Sequence, residues 1–396
     1  MIKIKARIYS FIIVLITAIM FLTPETLQAK HIIGGEVYYD CLGIDSSGNQ
    51  KLAIFQITFN MYRDCFGGGA DFDDPARFGL YSGSGSNWNW QETFFAPVTS
   101  ESFLPINDDP CVEEPTDVCV EKGVYVFEIT VPVIDESYLL TYQRCCRNNT
   151  IVNIKNPEST GAVFQVEISP LAQQICNDSP TFDNFPPIVI CANTPLVFDH
   201  KASDNEGHEL VYELCTPITS GGTLGTNENP GDPNSCFGVT PNPQLCLPTY
   251  DDVIFKLPNF SSQNPLGVAA GTTINTFSGL LTANPTITGQ FVVGVCVKEY
   301  RNGELLSVVQ RDFQFNVTQC QILVYADVGN DEVIKEQEFL IRSCGENEIT
   351  FENLSEDKNF IEAYLWEFDL GNETVTSNLE NPTITFPDIG SYFGQL

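Results

Sequence analysis

Residues 52–62 read LAIFQITFNMY, and this alternating pattern decides the fold class of the chain. Every second residue from Ala53 to Met61 is apolar, which places one apolar face on an extended strand. Four more runs, rich in β-branched and aromatic residues and bounded by Gly, Pro, Asn or Asp, lie at 124–131, 162–168, 291–297 and 312–317. Helical periodicity is almost absent. The sequence therefore predicts an all-β chain of tandem immunoglobulin-like β-sandwich domains.

The chain opens with a segment typical of a secretory signal peptide. Three basic residues within the first seven precede an apolar run at 8–22, and a polar exit ends at Ala29. We predict cleavage after Ala29, which makes residues 1–29 the signal peptide. The alternative is an uncleaved membrane anchor, but the apolar run is shorter than the roughly 20 residues that span a bilayer. We expect a secreted or cell-surface protein without a transmembrane segment after signal removal.

The charge of the chain disfavours several partners. The formal net charge is −32, whereas nucleic acids and anionic membranes attract basic surfaces. Divalent cations and basic surfaces are compatible with this charge, and solubility outside the cell explains it equally well. We expect an extracellular protein or a glycan surface as the partner, and no nucleic acid.

The 14 cysteines predict a disulfide framework. Their number is even and all of them follow the leader, as in exported disulfide-bonded chains. A zinc site is the competing reading, but there is no Cys-x-x-Cys pair and the three histidines are not spaced as ligands. Four pairings are predicted: Cys111–Cys119, Cys236–Cys246, Cys215–Cys296 and Cys320–Cys344. For Cys145 and Cys146 we favour two separate bridges over a vicinal disulfide acting as a redox switch.

Four unusual motifs carry a resemblance to a known group of proteins. They are HIIGGE at 31–36, YRDC at 62–65, YQRCCRNNT at 142–150 and VGVCVKEYRNG at 293–303. This region resembles the N-terminal part of large secreted proteins of Bacteroidetes. Those proteins commonly carry PKD (polycystic-kidney-disease) repeats and a C-terminal sorting domain for type IX secretion, of the gliding-motility-associated kind. The resemblance implies a secreted or cell-surface protein and implies no biochemical activity.

A second resemblance concerns an acidic turn. Residues 202–212, ASDNEGHELVY, resemble the acidic turn and strand of cadherin-like and related immunoglobulin-like modules, in which the turn can bind calcium. Asp204 and Glu206 keep two of the acidic positions, whereas His208 stands at the third. The resemblance implies a calcium site at Asp204 and Glu206, and the alternative is a plain polar turn before a strand. No other cofactor is expected.

The last part of the chain is similar to a PKD repeat. The motif LWEFDLG at 365–371 precedes the pair NP at 381–382 and the triplet GSY at 390–392. Trp366 is expected in the core of this module, because a buried aromatic ring contributes a large apolar area. At least one more strand is expected after the triplet, so we predict an incomplete module and a fragment of a longer product.

These observations predict a domain order. It is a signal peptide at 1–29, a disulfide-rich β-sandwich at 30–176, a cadherin-like or immunoglobulin-like sandwich at 177–319 and an incomplete PKD-like domain at 320–396.

No catalytic motif is evident, and the predicted function is structural. There is no G-x-S-x-G elbow, H-E-x-x-H pair or phosphate-binding glycine loop. The loop at 82–90, SGSGSNWNW, makes Trp88 and Trp90 candidate glycan contacts, although packing of the loop onto a sheet explains them equally well. We predict a non-enzymatic surface protein acting in adhesion or as a spacer, with gliding-motility filaments as one setting. The alternative is the carbohydrate-binding or accessory region of a secreted polysaccharide-degrading enzyme.

Overall fold

The computed structural model describes most of the chain after the predicted leader. The described residues are 32–66, 70–104, 118–221, 236, 238–320, 326–335, 338–345, 347–355, 361 and 363–396. The predicted signal peptide, His31 and Cys111 lie outside these ranges. Within them, no helix combines the length and the hydropathy that crossing a membrane requires.

The chain is mostly β, as the alternating pattern predicts. The first strands are β1 Ile32–Asp45, β2 Leu52–Asp64, β3 Ala76–Ser84, β4 Asn87–Ala96, β5 Val98–Phe103, β6 Val120–Pro132, β7 Ser137–Arg144 and β8 Ala162–Ile168. The next are β9 Thr181–Phe182, β10 Val189–Cys191, β11 Leu196–Asp199, β12 Ala202–Ser203, β13 Glu209–Cys215, β14 Ile218–Thr219, β15 Asp251–Asp252, β16 Thr273–Ile274, β17 Leu280–Ala283, β18 Gly289–Arg301 and β19 Glu304–Thr318. The last are β20 Glu332–Lys335, β21 Glu338–Leu340, β22 Glu348–Thr350, β23 Trp366–Asp369, β24 Thr374–Ser377, β25 Thr383–Thr385 and β26 Phe393–Gln395.

Helical structure is confined to short pieces in the described residues. The α-helix α1 spans Pro170–Ile175, and two 3-10 turns span Pro157–Ser159 and Val268–Ala270. Helix α1 begins at a serine cap, because the Ser169 Oγ accepts the amide hydrogen of Ala172 at 3.1 Å.

One sheet of 12 strands dominates the fold. Its main path runs β4-β3-β7-β8-β19-β1-β2-β6-β5, and β18, β13 and β10 join it beside β19. The two ends of the path, β4 and β5, are consecutive in the chain and only Pro97 separates them. The sheet therefore curls back toward itself and is partly barrel-like.

The interior of this curled sheet is aromatic. Phe59 of β2 contacts the rings of Phe78, Tyr142 and Phe164, with centroids 5.5, 5.0 and 5.4 Å away. Those partners belong to β3, β7 and β8, so the two halves of the sheet face each other across this cluster. Edge-on and tilted ring pairs of this kind add about 0.5–1.5 kcal/mol each beyond the burial of their area.

The sheet and its core are continuous across the predicted boundary between residues 176 and 177. Strand β19 lies between β8 and β1, with Val309 opposite Val166 and Asp312 opposite Gly35. A Cβ on the neighbouring Gly34 would lie 2.0 Å from the Asp312 carbonyl oxygen. Gly34 therefore permits β1 to approach β19 closely, and the two predicted sandwiches share strands and one hydrophobic core.

The second part of the shared fold is built around the long hairpin of β18 and β19. Strand β13 pairs with the outer side of β18, and β10 runs parallel to the end of β19. Three smaller sheets, β11-β17-β16, β9-β12 and β14-β15, complete this part. The acidic turn at 204–208 lies between β12 and β13, which places it beside the hairpin.

The last strands form their own small core. Trp366 is 2% exposed and packs with Phe351, Phe368, Ile384 and Phe386, which confirms its predicted core position. Strand β23 pairs with both β24 and β26, and β22 pairs with β25.

Six disulfides join the described cysteines, and two of them match the predicted pairs. These two are Cys236–Cys246 and Cys215–Cys296. The other four are Cys41–Cys176, Cys65–Cys119, Cys145–Cys146 and Cys191–Cys320.

Three expectations about the cysteines are wrong. Cys119 does not pair with Cys111, because the pairing of β2 with β6 brings it to Cys65, with 5.2 Å between the Cα atoms. Cys320 does not pair with Cys344, because the parallel pairing of β10 with β19 brings it to Cys191. Cys344 is an exposed free thiol.

The third correction concerns the adjacent cysteines. Cys145 and Cys146 bond to each other instead of to two separate partners. Both residues are buried, which keeps this disulfide away from bulk solvent.

Candidate functional site

Three side chains with metal-ligating atoms converge beside the β18–β19 hairpin. Within the described ranges, Asp204, His208 and Glu299 are the group whose ligand atoms lie within 4.8 Å of one another. Glu299 lies on β18, and the other two lie on the turn before β13. Since β13 pairs with β18 and sets Leu210 opposite Glu299, the strand register brings the turn onto the carboxylate.

Glu299 is the buried centre of this group. It is 0% exposed and lies where the register of β18 and β19 shifts, opposite Ser307. Its Oε2 accepts hydrogen bonds from the Ser307 hydroxyl at 2.6 Å and from the Asn177 amide at 2.9 Å. Its Oε1 lies 2.7 Å from Nδ1 of His208. Burial raises the pKa of the Glu299 carboxyl above its ordinary value, although these three contacts favour the ionised form.

Asp204 has an unused oxygen in this group. Its side chain is 3% exposed, and its Oδ1 accepts the backbone amide hydrogen of His208 at 2.5 Å. Its Oδ2 is buried and has no hydrogen-bond partner among the described residues. Buried polar atoms are nearly always paired, and a buried unpaired carboxylate oxygen is costly. Asp204 therefore carries an open acceptor, while its other oxygen, Oδ1, lies 3.8 Å from Nδ1 of His208.

A disulfide positions Asn177, the residue whose side-chain amide donates to Glu299. The Cys41–Cys176 bridge ties the end of α1 to β1. Two further contacts hold the following residues on β1: Ser179 donates its amide to the Tyr39 carbonyl at 2.8 Å, and its hydroxyl accepts the Tyr39 amide at 2.9 Å. Asn177 lies between these anchors, 1% exposed, with its amide on Glu299.

Glu206, the second residue of the predicted calcium site, is turned elsewhere. It is exposed, and its Oε1 accepts the backbone amide of Asp178 at 3.0 Å. It is not part of the group that Asp204 forms with His208 and Glu299. Sequence reasoning missed Glu299 and Asn177, because both reach the turn only through long-range strand pairing. The sequence signal that could have identified them is that Glu299 lies in the KEYRNG segment and Asn177 in the Cys-Asn-Asp-Ser segment.

The other buried carboxylates of the described chain are paired with arginine. Four acidic residues are less than a tenth exposed as whole residues: Glu36, Glu121, Glu299 and Asp312. Glu36 pairs with Arg311, Glu121 with Arg63, and Asp312 with Arg147. Glu299 alone among the four faces an imidazole, that of His208, in place of a guanidinium.

These arginine pairs explain much of the motif set. The HIIGGE motif supplies Glu36, the YRDC motif supplies Arg63, and the YQRCCRNNT motif supplies Arg147. Glu36 also accepts hydrogen bonds from Asn60 at 3.1 Å and Tyr62 at 3.2 Å. These ion pairs join β1 to β19, β2 to β6, and the segment that follows β7 to β19.

The two candidate glycan-binding tryptophans pack onto the sheet. Trp88 is 9% exposed, clusters with Tyr81 and Leu139, and donates its indole hydrogen to the Gly85 carbonyl at 2.9 Å. Trp90 is half-buried against the same cluster, and its indole donates to the Thr93 hydroxyl at 3.2 Å. Both indole hydrogens are therefore already donated to acceptors within three residues of their own tryptophan.

Comparison with models of protein families, with curated proteins and with solved structures finds no match to this chain. The resemblance to secreted PKD-repeat proteins therefore rests on the quoted sequence motifs alone.

Proposed function

We propose that this chain is a non-enzymatic, exported structural protein of the cell surface that acts as a spacer or in adhesion. The observation that carries the proposal is the set of disulfides, which join segments as far as 135 and 129 residues apart around one continuous sheet.

The disulfides support a location outside the cytoplasm. Disulfides persist in oxidising compartments and are rare where thiols are kept reduced. Five of the six bridges join residues that are not neighbours in sequence, and four of these close loops of 54 residues or more. In the chain-entropy model, the two longest loops contribute roughly 5 kcal/mol each by restricting the unfolded chain. Such a chain resists unfolding where chaperones are scarce, which suits a spacer.

The charge and the motif resemblance support the same role. A net charge of −32 suits a soluble exported chain and disfavours nucleic acid. The resemblance implies a secreted or surface protein exported by type IX secretion, with gliding motility as one setting and an extracellular protein or glycan surface as the partner. His200 is buried against Phe198 and Phe313, and this packing supports a core role for it over a catalytic one.

The alternative function, a carbohydrate-binding region of a polysaccharide-degrading enzyme, depends on Trp88 and Trp90. Because both rings pack against the sheet, their position supports the structural role more than glycan binding. A glycan array probed with the full chain tests it, because a binding signal abolished by Trp90→Ala would establish the alternative over the structural role.

The test of the structural role combines location with redox state. Cells that make the full chain with its own leader are fractionated, and non-reducing peptide mapping by mass spectrometry follows. We expect the protein outside the inner membrane with all six bridges formed. Recovery of the chain from the cytoplasm with free thiols at Cys41 and Cys191 would overturn the proposal.

A mechanical measurement separates a spacer from a loosely held module. In single-molecule pulling of the full chain, the oxidised protein should extend by less than its contour length, because the bridges hide long loops from the force. Reduction should release that hidden length in discrete steps. The same full extension with and without reductant would contradict the spacer role.

A further inference from the structure

The buried acidic cluster at Glu299 has a charge imbalance that the rest of the core does not share. The other three buried carboxylates each face an arginine, a permanent cation. Glu299 and the nearby Asp204 carboxylate instead face the imidazole of His208, with no arginine or lysine among their ion-pair partners in the described residues. Two carboxylates with little solvent exposure therefore share one imidazole and no guanidinium.

A second observation points to a missing cationic partner. The Oδ2 of Asp204 and the Oδ1 of Asn177 are both buried without a hydrogen-bond partner in the described chain. Asp204 is 3% exposed on its side chain, and the ligand atoms of this carboxylate, His208 and Glu299 lie within 4.8 Å of each other. An open acceptor of this kind is what a bound cation would use.

From this geometry we propose that Asp204, His208 and Glu299 form a binding site for a divalent transition-metal ion of the zinc class. The proposal is independent of the structural role argued above. One imidazole nitrogen and two carboxylate oxygens match the ligands of zinc, with bonds of about 2.0–2.2 Å. Calcium instead takes 6–8 oxygen ligands, which this group does not offer.

The geometry needs only local adjustment to hold the ion. In a tetrahedral site with such bond lengths, ligand atoms lie roughly 3.4 Å apart. Nδ1 of His208 now lies 2.7 Å from Oε1 of Glu299 and 3.8 Å from Oδ1 of Asp204. Metal binding would replace the contact between His208 Nδ1 and Glu299 Oε1 with a bond from each of these atoms to the ion. The His208 side chain is 15% exposed, which gives the ion a path and leaves water for a fourth ligand.

The surrounding residues would orient the ligands. Ser307 and Asn177 hold Oε2 of Glu299, which leaves Oε1 directed at His208. Partners of this kind outside the ligand set typically change metal affinity by 10–100-fold when they are removed.

The test is calorimetric titration of the chelator-treated full chain with Zn²⁺, Mn²⁺ and Ca²⁺, each at pH 7.5. All proteins carry Cys344→Ser, because the exposed thiol of Cys344 is itself able to bind zinc. His208→Gln and Asp204→Asn each remove one ligand, and Glu206→Gln is the matched acidic control on the same turn. We expect one Zn²⁺ per chain, bound at least tenfold more weakly by the two ligand variants and with unchanged affinity by the control.

A second measurement keeps the test valid if a ligand variant fails to fold. In the unsubstituted site, Zn²⁺ should shift the imidazole nitrogen signals of one of the three histidines in an NMR spectrum, whereas Ca²⁺ should not. No heat and no imidazole shift with Zn²⁺ would overturn the proposal. So would Zn²⁺ binding that survives in both ligand variants. Calcium binding lost in Glu206→Gln would instead establish the calcium site that the sequence motif predicts.

Discussion

His200 offers a prediction whose size can be worked from its surroundings. The ring is fully buried, and both of its nitrogens lack hydrogen-bond partners among the residues that the structure describes. It packs against Phe198 at 4.7 Å and Phe313 at 5.3 Å between ring centroids. Burial, together with the nearby Arg311 guanidinium, holds the pKa of His200 well below its usual range. The perturbation is His200→Leu, which removes the two unpaired nitrogens and keeps a similar volume.

The sign of the pH effect follows from proton uptake. In the unfolded chain His200 takes up a proton as the pH falls through about 6.5, while the folded chain does not. The unfolded state then binds more protons, so the wild-type protein loses stability below pH 6.5. At pH 5.5 this loss is about 1.4 kcal/mol, and at pH 7.5 it is less than about 0.1 kcal/mol.

The variant should therefore gain stability relative to the wild type as the pH falls. At pH 7.5, relief of the unpaired nitrogens, about 1–3 kcal/mol, is offset in part by the lost ring contacts, about 0.5–1.5 kcal/mol. We expect a net gain of about 1 kcal/mol at pH 7.5 and about 1.4 kcal/mol more at pH 5.5. Urea unfolding of both proteins at the two pH values measures this difference. A wild-type and a variant protein with the same pH dependence would refute the reasoning, because His200 would then be protonated equally in both states.

Three further predictions concern the sheet, the disulfides and the last core. Gly34→Ala should lower the free energy of unfolding by about 1–3 kcal/mol in urea titrations, because its Cβ would lie 2.0 Å from a carbonyl oxygen of β19. Unchanged stability would show that β1 and β19 do not approach so closely. Replacing both Cys191 and Cys320 by serine should lower the free energy of unfolding by roughly 5 kcal/mol, and replacing both Cys236 and Cys246 by roughly 3 kcal/mol. The difference arises because the two closed loops span 129 and 10 residues. Equal losses of stability in calorimetric melting would contradict the loop-entropy account. Trp366→Ala should lower the free energy of unfolding of the small C-terminal core by about 3–5 kcal/mol. Hydrogen exchange should then show loss of protection in β23 and β24, while the 12-stranded sheet stays protected. Loss of protection in both would show that the two cores unfold together.

The strands were predictable because their signal is local. The runs at 52–62 and 162–168 lie in β2 and β8, since alternation over a few residues already determines which face is apolar. The core position of Trp366 was also predictable from local sequence, because a large apolar ring in a strand-like motif is usually buried.

The candidate site was predicted only in part. Asp204 was identified from its acidic turn, while its partner Glu299 lies 95 positions further along the chain. Glu206 is close to Asp204 in sequence, yet it turns toward the Asp178 amide. Spacing along a turn does not reveal which carboxylate points inward, because the neighbouring strands decide which face of the turn is covered.

The sequence by itself determined that the chain forms β-strands and carries the cysteines for a disulfide framework, since both depend on residue type and short-range order. Only the tertiary structure decided that Cys119 meets Cys65, that Cys320 meets Cys191, and that β19 joins the strands before and after residue 176 in one sheet. The physical reason is that strand register is set by the packing of whole apolar faces against each other, and a one-residue slip turns every side chain to the opposite face. Local patterns show that a strand has an apolar face, but not which strand it will lie beside.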